Sequence, residues 1–477
     1  MLVYNHLPVS LQNAATTAAG WLLARRRSGA HFRRTLEEWE QSVHASADQL
    51  AEIQRRRLHR IVEVARHHTG FYRDLPPPVE HADASESIGR TLEQIEPIDK
   101  RVLRERSSDF YADHIPFRHT FKARTSGTTG TPLTLRHSRT AIQEEYATVW
   151  RMRRRAGAEL GTPHLTFGGR IVVPISQTTP PFHRRDHFTG QTMFSLYHLK
   201  ADNLEHYIDA IHAAPACYAQ GYPSFLYQLA RAMLDLGRPI PPGRLAAVFT
   251  SSETLLAFQR ESIEEAFGAP AYDRYGASEF SVSMTAGPDR RLYVDMEFCI
   301  VEIEPEEETD DFIRGPLLVT GLSNEAMPLL RYRIGDTGTL LKRPSDPCRA
   351  GMVFESIDGR IEDYAITPDG RAIGRLDHVF KDQTGVAEAQ IRQQKPEEIL
   401  VMVVPTDAWN SACRDKLVRS LRIRLGREIR ILIQEVQQIE RQGEKFRFVE
   451  SEVGRLRSTR VHQAGSRERM PQPDGPK

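Results

Sequence analysis

Arg124-Thr-Ser-Gly-Thr-Thr-Gly-Thr-Pro132 is the stretch on which the reading of this chain turns. Its glycines Gly127 and Gly130 let the backbone turn and approach a ligand closely. The hydroxyls of Thr125, Ser126, Thr128 and Thr129, with the neighbouring amides, supply a dense set of donors. A polyphosphate suits such a loop, because many neutral donors can wrap several anionic oxygens. No lysine follows Gly130 and the GxxxxGK[ST] spacing is absent, so the loop is not of the Walker type. A bare Gly-Thr-Thr-Gly is also compatible with a plain flexible turn; the full nine-residue string is a much sharper signal.

Downstream of about Phe121, short apolar runs alternate with helical ones. Ile171–Pro174 and Leu245–Phe249 read as strands. The second leads through Thr250-Ser-Ser-Glu253 into a helix that places Leu255, Phe258, Ile263 and Phe267 to one side and stops at Gly268. Phe298–Ile303 and Leu317–Thr320 read as further strands. This alternation predicts an α/β body with substantial parallel sheet. Upstream, Thr35-Leu-Glu-Glu38 reads as a capping box. The spacing of Leu50, Ile53, Leu58, Ile61, Val62 and Ala65 predicts a long helix from about Leu36 to His68, broken at most once. Gly70 and Pro76-Pro-Pro78 end it, and Pro77 to Ser87 reads as a surface loop. Beyond Gly359 come a turn at Pro368-Asp-Gly370, a strand at Ile399–Val404, a helix with Leu417, Leu421 and Leu425 on one face and Gly426 at its end, and a strand at Ile429–Val436. That series predicts a small α+β domain. The organisation expected is a large N-terminal body with mixed sheets over residues 1–358, its first 80 residues a helical extension, then a small C-terminal domain over 359–453 and a mobile basic tail over 454–477.

Composition narrows the function classes. The chain has 477 residues, with 64 Lys plus Arg against 63 Asp plus Glu, a formal charge of +1. Such balance argues against a dedicated nucleic-acid binder. With 40% hydrophobic residues the chain can build a large core. Cys217, Cys299, Cys348 and Cys413 are too few for a disulfide framework and too dispersed for a CxxC zinc pattern, so a reducing, cytoplasmic setting is expected. No apolar run reaches membrane-spanning length. Ala14 to Ala24 is short and is followed, not preceded, by Arg25, Arg26 and Arg27, the reverse of a signal peptide. It reads as a packed helix, with peripheral membrane contact through its Trp21 edge as the alternative.

Further blocks follow in order: Tyr275-Gly-Ala-Ser-Glu279, Arg331-Tyr-Arg-Ile-Gly-Asp336, Gly359-Arg-Ile-Glu-Asp363 and Gly443-Glu-Lys-Phe-Arg447. Together with the hydroxyl-rich loop they resemble the motif series of the adenylate-forming superfamily, which contains acyl-CoA synthetases, peptide-synthetase adenylation domains and luciferases. Within it the chain is most similar to the phenylacetate–CoA ligase-like branch, and more narrowly to capsular-polysaccharide-associated members. Leu58–Tyr72, Ser195-Leu-Tyr-His198, Gly221-Tyr-Pro-Ser-Phe225, Thr250-Ser-Ser-Glu253 and Ile361–Gly370 carry that narrower likeness, which covers about residues 35 to 453.

The resemblance implies a role for each block. Thr125, Ser126, Gly127, Thr128, Thr129 and Gly130 would hold the β- and γ-phosphates of ATP. Tyr275 and Gly276 would lie against adenine, Ser278 would contact the α-phosphate, and Glu279 would hold Mg2+. Asp336 would accept both ribose hydroxyls, and Arg360 would contact the nucleotide. Glu253 would border the adenine pocket; a helix N-terminal acid favoured by the helix dipole is the competing reading. Lys445 would bridge the substrate carboxylate and the α-phosphate, although Glu444 stands where the superfamily usually has glycine before the lysine. Glu362 would be the hinge acid of a domain that alternates between adenylation and thiol-accepting orientations. Tyr222, Phe249 and Ala277 would bound the acyl pocket, with Phe225 either beside them or in the core. No zinc is expected, because Met284–Tyr293 lacks cysteines and Pro180-Pro181 disfavour a helical His183–His187 pair.

The reaction implied is ATP- and Mg2+-dependent activation of a carboxylic acid as acyl-AMP, followed by transfer to CoA. Transfer to an amine or a sugar hydroxyl in polysaccharide or natural-product biosynthesis is the alternative, and a non-catalytic nucleotide-binding scaffold is the third. The partners expected are a small carboxylic acid and a second copy of the chain as a homodimer.

Overall fold

The computed structural model describes residues 4–124, 133–343, 350–358, 365–370, 372–373, 376–380, 385–437, 439 and 449–453. The hydroxyl-rich loop Thr125–Gly130, Arg360, Glu362, Glu444, Lys445 and the tail 454–477 lie outside them. Two compact units divide the chain at Gly359.

The first unit begins with α1 (Val9–Arg27), α2 (Ala30–Gln41) and α3 (Ala47–His68), followed by α4 (Ala84–Glu93) and α5 (Lys100–Glu105). The predicted long helix is therefore two helices. The break falls at Ser46, whose side chain accepts from the Gln49 amide while the Gln49 side chain accepts from the Ser46 amide. Thr35 is no cap: it is buried inside α2 beside Leu36 and Trp39, so the Thr-x-x-Glu spacing there is incidental. The loop expected to reach Ser87 ends earlier, at the α4 cap Asp83. Helix α1 lies along β4 (His183–Asp186), where Asn13 Oδ1 accepts from the Arg185 amide at 2.9 Å and Thr17 Oγ1 from the His187 amide at 3.1 Å. It thereby occupies donors that an edge strand would leave open. No helix among the described residues is long and apolar enough to cross a membrane.

After the hairpin β1 (Thr120–Arg124) and β2 (Thr134–Ser138) comes α6 (Arg139–Arg155). The main sheet has thirteen strands. Beside β4 it contains β3 (His164–Gly168), β5 (Gln191–Ser195), β6 (Tyr218–Gly221), β7 (Val248–Ser251), β8 (Ala271–Gly276), β9 (Ser283–Ala286), β10 (Leu292–Val294), β11 (Cys299–Ile303), β12 (Glu307–Glu308), β13 (Phe312–Gly321), β14 (Tyr332–Leu341) and β15 (Val353–Asp358). Its order is β11-β13-β14-β15-β10-β9-β8-β7-β6-β3-β5-β4, with β12 on β13. Strands β5, β3, β6, β7 and β8 run parallel, and the remaining pairings are antiparallel, so the sheet is mixed. Helices α7 (Leu204–Ala213), α8 (Pro223–Asp235) and α9 (Ala257–Phe267) serve the parallel half. Gly268 ends α9 at φ 60°, where a Cβ would meet the Ile240 carbonyl at 2.5 Å. The strand expected at Ile171–Pro174 is not one. The polar-alternating His164–Gly168 takes that place, because one of its faces meets side chains that tolerate polarity while Leu165 and Phe167 are fully buried on the other.

The second unit has a hairpin of β16 (Ala365–Ile366) and β17 (Ala372–Ile373) and a four-stranded sheet of order β20-β19-β18-β21. Its strands are β18 (Val386–Lys395), β19 (Glu398–Pro405), β20 (Arg430–Glu435) and β21 (Val449–Ser451). Helix α10 (Ser411–Leu425) buries Leu417, Leu421 and Leu425 in a core with Ile391, Ile399 and Val401. The architecture is mixed α/β with a C-terminal α+β unit carrying its own sheet.

Candidate active site

Parallel strands present their carboxyl ends on one edge, the place where open α/β sheets bind ligands. Here β8 runs out through Tyr275 and Gly276 into a turn closed by the Phe280 amide donating to the Ala277 carbonyl at 3.1 Å. Phe280 adopts φ 55°, a conformation that costs a non-glycine residue energy. Its ring stacks on His137 with centroids 4.0 Å apart. This turn leaves Ser278 exposed and buries Glu279.

Two residues from separate motifs meet at this edge. The Tyr275 hydroxyl donates to Asp336 Oδ2 at 2.6 Å, joining the end of β8 to β14. A carboxylate offers about four acceptor positions, so Asp336 retains capacity for other donors. The carboxylate of Glu279 accepts from the Tyr332 hydroxyl at 3.4 Å and has Lys100 Nζ at 4.0 Å. Lys100, from α5, and Tyr332, inside the Arg331–Asp336 block, were not anticipated as neighbours of Glu279, and nothing in the local sequence of Lys100 marks it. Arg331 and Arg333 of the same motif pair with Glu302 and Glu304. Arg331 also donates to the Leu92 and Ile95 carbonyls, so it ties the helical segment to the sheet.

Glu253 is engaged away from these residues. Its carboxylate accepts from the amide and the hydroxyl of Ser224, at 2.9 and 3.1 Å, in the first turn of α8. That is helix N-terminal service by an acid, though to a helix other than the one its sequence position suggested.

A cavity of about 550 Å³ lies along β3, β6 and β7 under α1 and α6. Tyr222 and Phe249 line it. Ala277 packs against the main core instead, because the turn after β8 carries it there, and Phe225 is a fully buried core residue. The cavity wall is mostly apolar but carries a connected set of polar side chains. Thr166 Oγ1 accepts from Gln220 Nε2 at 2.9 Å and donates to Gln191 Oε1 at 3.3 Å, and Gln220 Oε1 accepts from Arg153. Glu145 pairs with Arg274 at 2.7 Å. Burial holds His137 and His164 neutral, each with its pKa lowered to about 4. His183 and His187 belong to a strand and the loop after it.

A large mixed sheet with helices, followed by a C-terminal unit with its own sheet, is the architecture of adenylate-forming ligases. The solved 2-hydroxyisobutyryl-CoA ligase, in complex with its acyl-AMP and CoA, shares it with a TM-score of 0.56 and 18% identity over 88% of this chain and 94% of that one. More narrowly, residues 365–452 match the CapK C-terminal domain family. Protein CapK of Staphylococcus aureus is 24% identical over 432 residues, 89% of this chain and 93% of that protein. Indoleacetate–lysine synthetase of Pseudomonas savastanoi is 32% identical over 138 residues, covering 28% of this chain and 32% of its own length.

Proposed function

We propose that this protein is an ATP-dependent ligase that activates a carboxylic acid as its acyl-adenylate. The observation that carries this reading is the Tyr275–Asp336 hydrogen bond: residues 61 positions apart, each from a motif assigned to nucleotide binding, meet at the carboxyl edge of the parallel strands, with Glu279 buried beside them.

In the first half-reaction an oxygen of the substrate carboxylate attacks the α-phosphorus, a new oxygen–phosphorus bond forms, and the bond to the β-phosphate breaks to release pyrophosphate. Two anions must be brought together, so positioning and charge stabilisation are the work required of the protein. Thr125 to Gly130 receive the β- and γ-phosphates, Ser278 the α-phosphate, Asp336 the ribose, and Tyr275 with Gly276 the base. Arg360 contacts the nucleotide. Lys445 follows the negative charge from carboxylate to phosphate as a compact cation. Glu279, a buried carboxylate near the Tyr332 hydroxyl and Lys100, would hold Mg2+, and the cation would supply charge to offset that of the phosphates.

The second half-reaction places a thiol, that of CoA, on the acyl carbonyl; the carbon–sulfur bond forms and AMP leaves. Glu362 serves as hinge between the two steps. The stretch similar to indoleacetate–lysine synthetase supports an amine as the competing acceptor, and the likeness to Protein CapK supports a place in capsular polysaccharide assembly.

ATP–pyrophosphate exchange over a panel of acids, with CoA present or omitted, tests the reading. Lys445→Ala is expected to lower exchange by about 10²–10³-fold, the loss typical of removing one group that stabilises developing charge, while ATP still binds. Asp336→Ala is expected to weaken ATP binding itself by roughly tenfold or more, the worth of a charged hydrogen bond. Exchange that survives Lys445→Ala would remove the lysine from the mechanism, and no exchange with any acid would remove adenylation.

A further inference from the structure

One wall of the cavity holds buried donors with nothing to donate to. Trp150 and Arg153 lie three residues apart on α6 and so share a face. The Arg153 guanidinium sits 5.1 Å from the Trp150 ring centroid and 5.6 Å from those of Tyr218 and Phe249. Trp150 is 2% exposed and Tyr218 0%. Trp150 Nε1 and Arg153 Nε are buried without an acceptor among the described residues, and the Tyr218 hydroxyl, which the Arg153 side chain approaches as a donor, has no acceptor there for its own proton. An indole and a guanidinium can only donate. Tyr218 stays a protonated donor because burial pushes its pKa up to about 12. Three donors grouped round the Arg153 guanidinium require acceptors, since an unmade buried hydrogen bond is costly.

Charge narrows the choice of acceptor. Among the described residues Arg153 has no carboxylate partner; its acceptor is the neutral Gln220 side chain. Arg27 and Arg170, which also line the cavity, have no carboxylate partner among the described residues either. The acid on the wall, Glu145, is already paired with Arg274 at 2.7 Å. His164, stacked on Tyr218 at 4.4 Å, is neutral. The wall is thus cationic and rich in donors, which fits a carboxylate.

The register sets the direction. Tyr218 opens β6 and Gly221 closes it beside Thr250 of β7. Ser251 pairs with Arg274, immediately before Tyr275. At about 3.3 Å per residue, the donor cluster lies roughly 10 Å along the sheet from the strand ends that bear the nucleotide motif.

We propose that the acid activated by this protein is a dicarboxylate, one carboxylate reacting at the strand ends and the other held by Arg153, Trp150 and Tyr218. This rests on the adenylation reading and names the substrate class of the same site. The test uses the full-length protein with glutarate, adipate and suberate against pentanoate, hexanoate and octanoate. Two readouts are followed, pyrophosphate exchange and calorimetric binding of each acid. At least one diacid should exceed its chain-matched monoacid about tenfold or more in kcat/KM. Arg153→Met should bring that ratio to about one. Should this variant fail to fold, Tyr218→Phe, which deletes a single O–H, should lower the ratio several-fold. Monoacids preferred by the native protein, or a diacid preference unchanged in the variants, would overturn the proposal. If no acid supports exchange, diacid binding that Arg153→Met abolishes keeps the pocket assignment and overturns adenylation; absence of both readouts overturns the pocket as well.

Discussion

Arg151 and Arg153 stand two residues apart on α6 and are used in opposite ways. Arg151 is 1% exposed, 2.6 Å from Asp295 and 2.6 Å from Glu297, and it donates to the Trp39 carbonyl. Burial alone would lower its pKa, but the two acids hold it above the ordinary value. Its charge is consumed in joining α6, the end of α2 and the strand region after β10. Arg153 has rings beneath it, a neutral amide beside it and a cavity in front of it. The contrast separates charge that holds the fold from charge left open to a ligand. Residue type does not distinguish them; partners do, and Arg151 is fully buried where Arg153 is half-buried.

The strongest way to break this contrast is Arg151→Met. Removing the cation leaves Asp295 and Glu297 buried and unpaired, which typically costs about 3–5 kcal/mol. A urea titration should show a large fall in midpoint. A fall below about 1 kcal/mol would mean that the acids find other partners.

Acid offers a middle-sized test, because burial holds the cavity's histidine neutral. His164 ionises near 6.5 when unfolded, but burial lowers its folded pKa to about 4. The unfolded chain therefore takes up the proton first. The stability held by the neutral ring is full above about pH 6.5 and is lost as pH falls toward 4. His164→Gln should flatten the decline in urea midpoint across that window by roughly 1–3 kcal/mol. A decline of unchanged slope would show that His164 accepts a proton in the folded protein.

The smallest effect belongs to Arg153→Met, which should change stability by no more than about 1 kcal/mol, since it removes a cation that has no ionic partner among the described residues. A loss matching that of Arg151→Met would place Arg153 in the fold rather than at a ligand.

Local chemistry was legible wherever a few adjacent residues decide the outcome. Gly268 and Gly426 stop α9 and α10 because each takes a positive φ, 60° and 96°, that a side chain resists. Leu417, Leu421 and Leu425 announced a buried helix face by spacing alone. Tyr275 and Asp336 were singled out from their own short motifs. The capping box was misplaced because Thr35-Leu-Glu-Glu38 and Ser46-Ala-Asp-Gln49 look alike locally, and packing of Thr35 within α2 decides between them. Ile171–Pro174 was overrated because β-branched residues mark a strand only where a neighbouring strand is in reach.

The sequence by itself determined the mixed α/β class, the nucleotide-type motifs and the near-neutral charge of +1. Only the tertiary structure decided that Tyr275 touches Asp336, that Glu253 serves α8, and that Arg151 is paired while Arg153 faces a cavity. The physical reason is range. Propensity, periodicity and turn chemistry act within a turn or two of chain, whereas hydrogen bonds and ion pairs join groups that the chain's ordering says nothing about, such as Trp150 with Tyr218.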